Sequence, residues 1–217
     1  MSNFINDTFD HIYCLNLKRR PDRWNDVKFQ FKLHGINAER FGAIDGKTLR
    51  RPVDVTTDKR ASEVACNLSH ISILKHALEN NYNEILVFED DAVLHPDFNR
   101  EFEKYYKQLP KDWKFCYVGG NYDPKGRDDS IFYPISSNVD RCRTVFTTVG
   151  YFLKKSFIQV LLDALESDNF KLVVDQVYIT LQRKHVMYMF RPRLVYQKAD
   201  YSDIRHDYRS YDKMRDF

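Results

Sequence analysis

The sequence predicts an α/β fold, a mostly parallel sheet with helices on both faces. Three observations lead there. Short β-branched and aromatic runs alternate with segments of helical period. Ile85–Phe88 is apolar without a break, as in a strand covered on both sides. Proline and glycine stand where the helices would open and close, which leaves helical crossovers between strands.

Residues 11–17, HIYCLNL, read as the first strand. Pro21 then suits the first position of a helix that runs through Val27 and Phe31 to a stop at Gly35. AERFGAIDG reads as a short strand and turn, and the polar stretch 47–60 as a surface loop. Val64, Leu68, Ile71, Leu74 and Leu78 recur at helical spacing over 61–80. After the strand at 84–88, a helix opens at Pro96 and closes at Pro110. KFCYVGG reads as a strand ending in a glycine pair, and 121–142 as a loop. TVFTTVGYFLKK reads as a strand, and SFIQVLLDALES as a helix capped by Ser156. KLVVDQVYITLQRK reads as a helix despite its β-branched content, VMYMF as a strand, and the tail as polar and aromatic.

Bulk properties exclude several classes. The chain's 217 residues suffice for one domain spanning 1–217, and 43% hydrophobic with 30% charged residues is ordinary for a globular protein. Thirty-four basic against 31 acidic residues, net +3, gives no broad field for nucleic acid. Cys14, Cys66, Cys116 and Cys142 lack metal-ligand spacing and read as small buried residues rather than a disulfide framework. The N-terminus lacks the signature of a signal peptide, and no apolar run nears the ~20 residues of a membrane span, so a soluble cytoplasmic chain without a transmembrane segment is expected.

The chemistry concentrates at ILVFEDDAVL, where a buried strand runs into Glu89, Asp90 and Asp91. In open α/β sheets ligands bind beyond the carboxyl ends of the strands, so the trio is expected at that rim. Adjacent carboxylates repel, and a divalent cation such as Mg²⁺ or Mn²⁺ offsets this. Strand alternation would turn Glu89 and Asp91 to one face and Asp90 to the other. A solvated turn explains the trio equally well. NLKRRPDR places Lys18, Arg19, Arg20 and Arg23 just past the first strand, at a helix N-terminus suited to phosphate. Alone it reads as a solvated basic turn; with a metal site at the same rim it suits a diphosphate.

IYCLNLKRRPDRW, RFGAIDG, ACNLSHISILKHAL and ILVFEDDAVL, followed by YVGG, TTVGYFLKKSF, VVDQVY, RPRLVYQ and YSDI, resemble glycosyltransferase family 25 in order and rough spacing over nearly the whole chain. That family includes bacterial lipooligosaccharide sugar transferases and collagen galactosyltransferases. The resemblance implies a GT-A-type, Rossmann-like domain, an inverting hexosyltransferase using Mn²⁺ or Mg²⁺. It implies a nucleotide-sugar donor, UDP-galactose first, and a glycan or glycoprotein acceptor. On that reading Asp91, Glu89 and His206 are the metal candidates. Asp175 is the catalytic base, and Asp90, counted with the catalytic residues, meets the ribose or the sugar. Asn16, Arg19, Arg20, Arg23 and Asp45 are assigned to the nucleotide. Gln176 is assigned to a sugar hydroxyl. Ser69 and His70 contact the nucleotide-sugar or support the acidic loop. His206 reads equally well as a surface histidine, and Asp175 as a helix cap. Two rivals remain, a glycoside hydrolase using paired acids and a non-catalytic binding module on a transferase-like fold. The basic, proline-containing stretch after Gly46 and residues 121–142 match no motif, which leaves the acceptor unassigned.

Overall fold

The computed structural model describes residues 3–49, 57–122, 132–167 and 170–210. In chain order the elements are α1 (Phe4–Thr8), β1 (His11–Leu17), α2 (Pro21–His34), β2 (Glu39–Ala43), α3 (Asp58–Glu79), β3 (Glu84–Glu89) and β4 (Ala92–Leu94). Then come α4 (Phe98–Tyr106), β5 (Phe115–Asn121), β6 (Phe132–Pro134), β7 (Val139–Cys142), β8 (Phe146–Lys154), α5 (Lys155–Ser167), α6 (Val174–Lys184), β9 (Tyr188–Phe190), β10 (Val195–Gln197), β11 (Asp200–Ser202) and β12 (Asp207–Arg209).

Eight strands form one sheet in the order β2-β1-β3-β8-β5-β9-β7-β6. The pairings make β8 and β7 antiparallel to their neighbours, so six of the eight strands point one way, as the α/β reading requires. Alternate residues of the buried strands serve opposite faces. Ile12, Leu86 and Phe88 pack with Val27 and Phe31 of α2 and with Phe98 and Phe102 of α4. Tyr13, Ile85 and Val87 pack with Ile71 and Leu74 of α3, Phe157 of α5 and Val177 of α6. Continuous apolar sequence in β3 follows from cover on both sides.

Local signals place the helix ends. Pro21 opens α2, and Gly35 closes it in the left-handed region at φ 62°, donating its N–H to the last turn. Thr57 caps α3, its hydroxyl accepting from the Arg60 amide. Elsewhere the structure differs from expectation. Ser156 is no cap, because α5 follows β8 without a break and starts at Lys155. The stretch 121–142, expected as loop, contains β6 and β7 at the sheet edge, with residues 123–131 outside the described set. Of the expected loop 47–60, residues 50–56 lie outside the described set and α3 begins at Asp58. The polar tail contributes β10, paired with β4, and the β11–β12 hairpin; residues 211–217 lie outside the described set.

The glycine pair of β5 has a packing reason. A Cβ on Gly119 would stand 2.3 Å from the Val195 carbonyl oxygen, and one on Gly150, its β8 partner, 3.4 Å from Val195 Cβ. β10 therefore crosses close over the sheet and brings Gln197 to the acidic turn. Gly119→Ala is expected to cost about 1–3 kcal/mol through overpacking, read as a lower urea midpoint; an unchanged midpoint refutes the close approach. No helix among the described residues is long and apolar enough to cross a membrane. All four cysteines are free.

Candidate active site

The carboxyl ends of β1, β2 and β3 open onto a cleft roofed by β10 and the β11–β12 hairpin. One lobe is lined by Leu17, Arg19, Arg23, Asp45, Asp90 and Asp91, among others. The second holds Glu63, Thr147, Thr148, Asp175 and Arg205. Cys66, Glu89, Gln197, Ser202 and Ile204 border both.

All three acidic side chains reach this cleft, but not in the expected orientation. β3 ends at Glu89, and Asp90 and Asp91 lie in the turn before β4, so strand alternation stops there. Glu89 Oε1 accepts from Thr148 Oγ1 at 2.5 Å and lies 3.5 Å from His70 Nε2. Asp90 instead joins Asp91 in facing Arg23, whose Nη1 lies 3.0 Å from Asp90 Oδ1 and 3.9 Å from Asp91 Oδ2. Asp90 Oδ2 accepts from Asn16 Nδ2 at 2.6 Å. Asp91 is buried; its Oδ2 accepts from Gln197 Nε2 at 2.9 Å, and its Oδ1 has no hydrogen-bond partner among the described residues.

The electrostatics divide the trio. Burial, then the charges of Glu89 and Asp90, push the Asp91 carboxyl up to about 7, against the pull of Arg23. Burial also raises Asp90, with Arg23 and Asn16 opposing. For Glu89, burial is outweighed by His70 and Thr148, which hold it below the usual carboxylate range.

The arginines beyond β1 are engaged rather than solvated. Arg19 reaches Asp45 at 2.7 Å and Asp203 at 2.6 Å. Arg20 reaches Asp203 at 2.6 Å, Asp22 at 2.7 Å and Asp200 at 3.1 Å. Arg23 Nε reaches Asp200 at 3.0 Å. Burial pushes the Asp203 carboxyl up, and hydrogen bonds from Arg19 and Arg20 outweigh it, holding it below its ordinary value. Asn16 is buried and ties three segments, donating to Asp90 and to the Arg20 carbonyl and accepting from Arg40 Nε at 2.8 Å.

The remaining candidates separate. Ser69 lines the first lobe, but its hydroxyl is used internally, donating to the Ala65 carbonyl and accepting from the Ile44 amide. His70 is fully buried, with Nδ1 2.9 Å from Tyr151 Oη, and supports Glu89 from behind. Asp175 is in the first turn of α6, and its Oδ1 is buried without a hydrogen-bond partner. Burial raises its carboxyl. Gln176 is exposed, and its Oε1 accepts from the Val173 amide at 3.4 Å. His206 is exposed at φ 60° in the hairpin turn and is not among the cleft-lining side chains.

Asp200, Asp203, Gln197, Asn121 and Thr148 were not singled out from sequence. The spacing of Asp200 and Asp203 in DYSD is a signal only once the hairpin is known to fold over the arginines. Among the described residues, no three or more His, Cys, Asp or Glu side chains converge into a ready-made metal cage. Asp91 nevertheless keeps a buried carboxylate oxygen with no hydrogen-bond partner, within reach of the charges of Glu89 and Asp90, and that donor chemistry fits a hard divalent cation.

Residues 9–178 match the model of "Glycosyltransferase family 25 (LPS biosynthesis protein)". A glycosyltransferase 25 family member of Anopheles gambiae is 31% identical over 127 residues, covering 46% of this chain and 20% of the relative. Procollagen galactosyltransferase 2 of Mus musculus is 27% identical over 198 residues, covering 82% of this chain and 31% of the relative. The match thus spans about a third or less of these relatives' length. Among solved structures, a glycosyltransferase involved in the glycosylation of the major capsid of PBCV-1 superposes at TM-score 0.45 with 9% identity, over 84% of this chain and 92% of that one. The family model covers most of the chain, including β1, the arginine turn, the acidic turn and Asp175, and the chain belongs to glycosyltransferase family 25.

Proposed function

We propose that this chain is a metal-dependent, inverting hexosyltransferase that moves a sugar from a UDP-sugar to a hydroxyl of a glycan or glycoprotein acceptor. Galactose is the first donor sugar to test, since relatives carry that name. The observation that carries the reading is Asp91 Oδ1, buried and unpartnered, on a carboxylate that lines the cleft together with Arg19 and Arg23.

The first lobe has the chemistry of a nucleoside diphosphate site. Leu15, Leu17, Ala43 and Ile44 supply apolar surface beside Asp45. An incoming diphosphate takes the guanidinium groups of Arg19, Arg20 and Arg23 in exchange for Asp200 and Asp203, trading one set of charge-assisted hydrogen bonds for another. Asp91 with Glu89 would hold a Mg²⁺ or Mn²⁺ ion, supplying positive charge against the charge developing on the diphosphate. Both Asp90 oxygens are engaged, by Arg23 and Asn16, so Asp90 orients the arginine. In the second lobe, Asp175 takes the proton of the acceptor hydroxyl as its oxygen bonds to C1 of the sugar and the bond from C1 to the diphosphate breaks. A raised carboxyl with one free oxygen suits that base.

The test is a donor screen. Each common nucleotide-sugar is incubated with the protein and Mn²⁺, and released nucleotide is measured. UDP release from UDP-galactose, abolished by EDTA, is expected. Sugar release from a glycan without any nucleotide supports the hydrolase instead. A chain that neither turns over any donor nor binds UDP overturns the proposal.

A further inference from the structure

We infer that Gln197, oriented by Asn121, is a positioning residue that fixes the Asp91 carboxylate at the cleft and leaves its Oδ1 unpaired. The inference rests on the metal reading proposed above and goes beyond it by assigning two residues that sit behind the ligand. A carboxylate has two oxygens, and here they are treated differently. Oδ2 accepts from Gln197 Nε2 at 2.9 Å, whereas Oδ1 is buried with no hydrogen-bond partner. The Gln197 amide is itself held, because its Oε1 accepts from Asn121 Nδ2 at 3.2 Å, which turns the NH₂ group toward Asp91. Asn121 Oδ1 in turn accepts from Arg193 Nη1 at 3.3 Å, and the same Nη1 donates to the Gly120 carbonyl at 2.9 Å. Arg193 is fully buried between the rings of Tyr122 and Tyr196, with its guanidinium carbon 4.6 and 4.9 Å from their centroids.

The result is a directed chain, Arg193 to Asn121 to Gln197 to Asp91, in which each donor is fixed by the group behind it. The backbone keeps the register. Gln197 pairs with Ala92 across β10 and β4, and the Lys198 amide donates to the Asp91 carbonyl at 2.7 Å. Rotation of the Asp91 carboxylate about χ2 breaks the Gln197 bond, so the amide holds Oδ1 in one direction. Outer partners of this kind tune metal affinity as strongly as some ligands do.

The experiment is calorimetric titration of the full chain with Mn²⁺, and separately with UDP in EDTA, for wild type, Gln197→Met, Asn121→Ser and Asp91→Asn. Gln197→Met keeps the volume and removes the amide. It is expected to weaken Mn²⁺ binding about 10–100-fold and UDP binding in EDTA by much less. Asn121→Ser, which frees the Gln197 amide to turn, is expected to weaken Mn²⁺ by a smaller factor and serves if Gln197→Met does not fold. Mn²⁺ affinity equal to wild type in either folded variant, with Asp91→Asn defective, overturns the positioning role and leaves the metal reading standing. Wild-type Mn²⁺ affinity in Asp91→Asn overturns the metal reading itself.

Discussion

Asp91→Asn is expected to lower sugar transfer by about 10³-fold and at the same time to raise the melting temperature at pH 8 without metal. On the proposed mechanism the loss in rate follows from removing a charge that would help hold the cation against the leaving diphosphate, a contribution of several kcal/mol to the barrier at about 1.4 kcal/mol per tenfold. The gain in stability follows from linkage. Burial and two neighbouring carboxylates push Asp91 up to about 7, above its value in the unfolded chain. Between the ordinary aspartate range and about pH 7 the folded protein binds a proton that the unfolded chain has released, so stability falls as pH rises through that window. Asparagine cannot ionise and loses this slope. Asp90 and Asp175 are raised in the same direction and keep part of it. Added Mn²⁺ is expected to stabilise wild type at pH 8 by mass action and to leave the variant unmoved. Thermal melts at pH 5 and pH 8, with and without Mn²⁺, read all of this. A variant that melts below wild type at pH 8 and still responds to Mn²⁺ refutes the assignment.

The second large effect belongs to Asp175. Asp175→Asn keeps the shape of the first turn of α6 and removes the proposed proton acceptor, so transfer to the acceptor is expected to fall about 10²–10⁴-fold. UDP binding, assigned in the proposal to the other lobe, which Asp175 does not line, is expected to fall far less. In wild type the rate is expected to decline on acidification at a pH above the ordinary aspartate range, because burial raises this carboxyl and its protonated form cannot act as base. Steady-state transfer against pH, paired with UDP calorimetry, checks both. Full transfer by Asp175→Asn moves the base elsewhere in the second lobe, where Glu63 is the next carboxyl.

The elements legible in the sequence were those whose neighbours in space are also neighbours in pattern. HIYCLNL and EILVFE became β1 and β3 because both faces of each strand are covered. Pro21 and Gly35 bounded α2 through constraints their own backbones impose. The β-branched run VDQVYITLQRK is helical because Val177, Tyr178 and Leu181 pack into the core against β-strand propensity. What failed were the short strands. β4, β6, β7 and β10 to β12 have three or four residues each, too few for a period, and exist because a partner strand lies beside them.

The same division runs through the site. From sequence alone it was determined that carboxylates and arginines gather at the ends of the first and third strands, since a buried strand must surface where its polar residues begin. The tertiary structure alone decided which oxygens are free. A turn at Asp90 redirected two side chains toward Arg23, and a hairpin more than a hundred residues away supplied Asp200 and Asp203 to the arginines. β10 reached Asp91 because Gly119, with no Cβ, lets it lie against the sheet. Charge sits in the residue and can be read along the chain. Partnership depends on distances of about 3 Å between residues far apart in sequence, and only packing sets those.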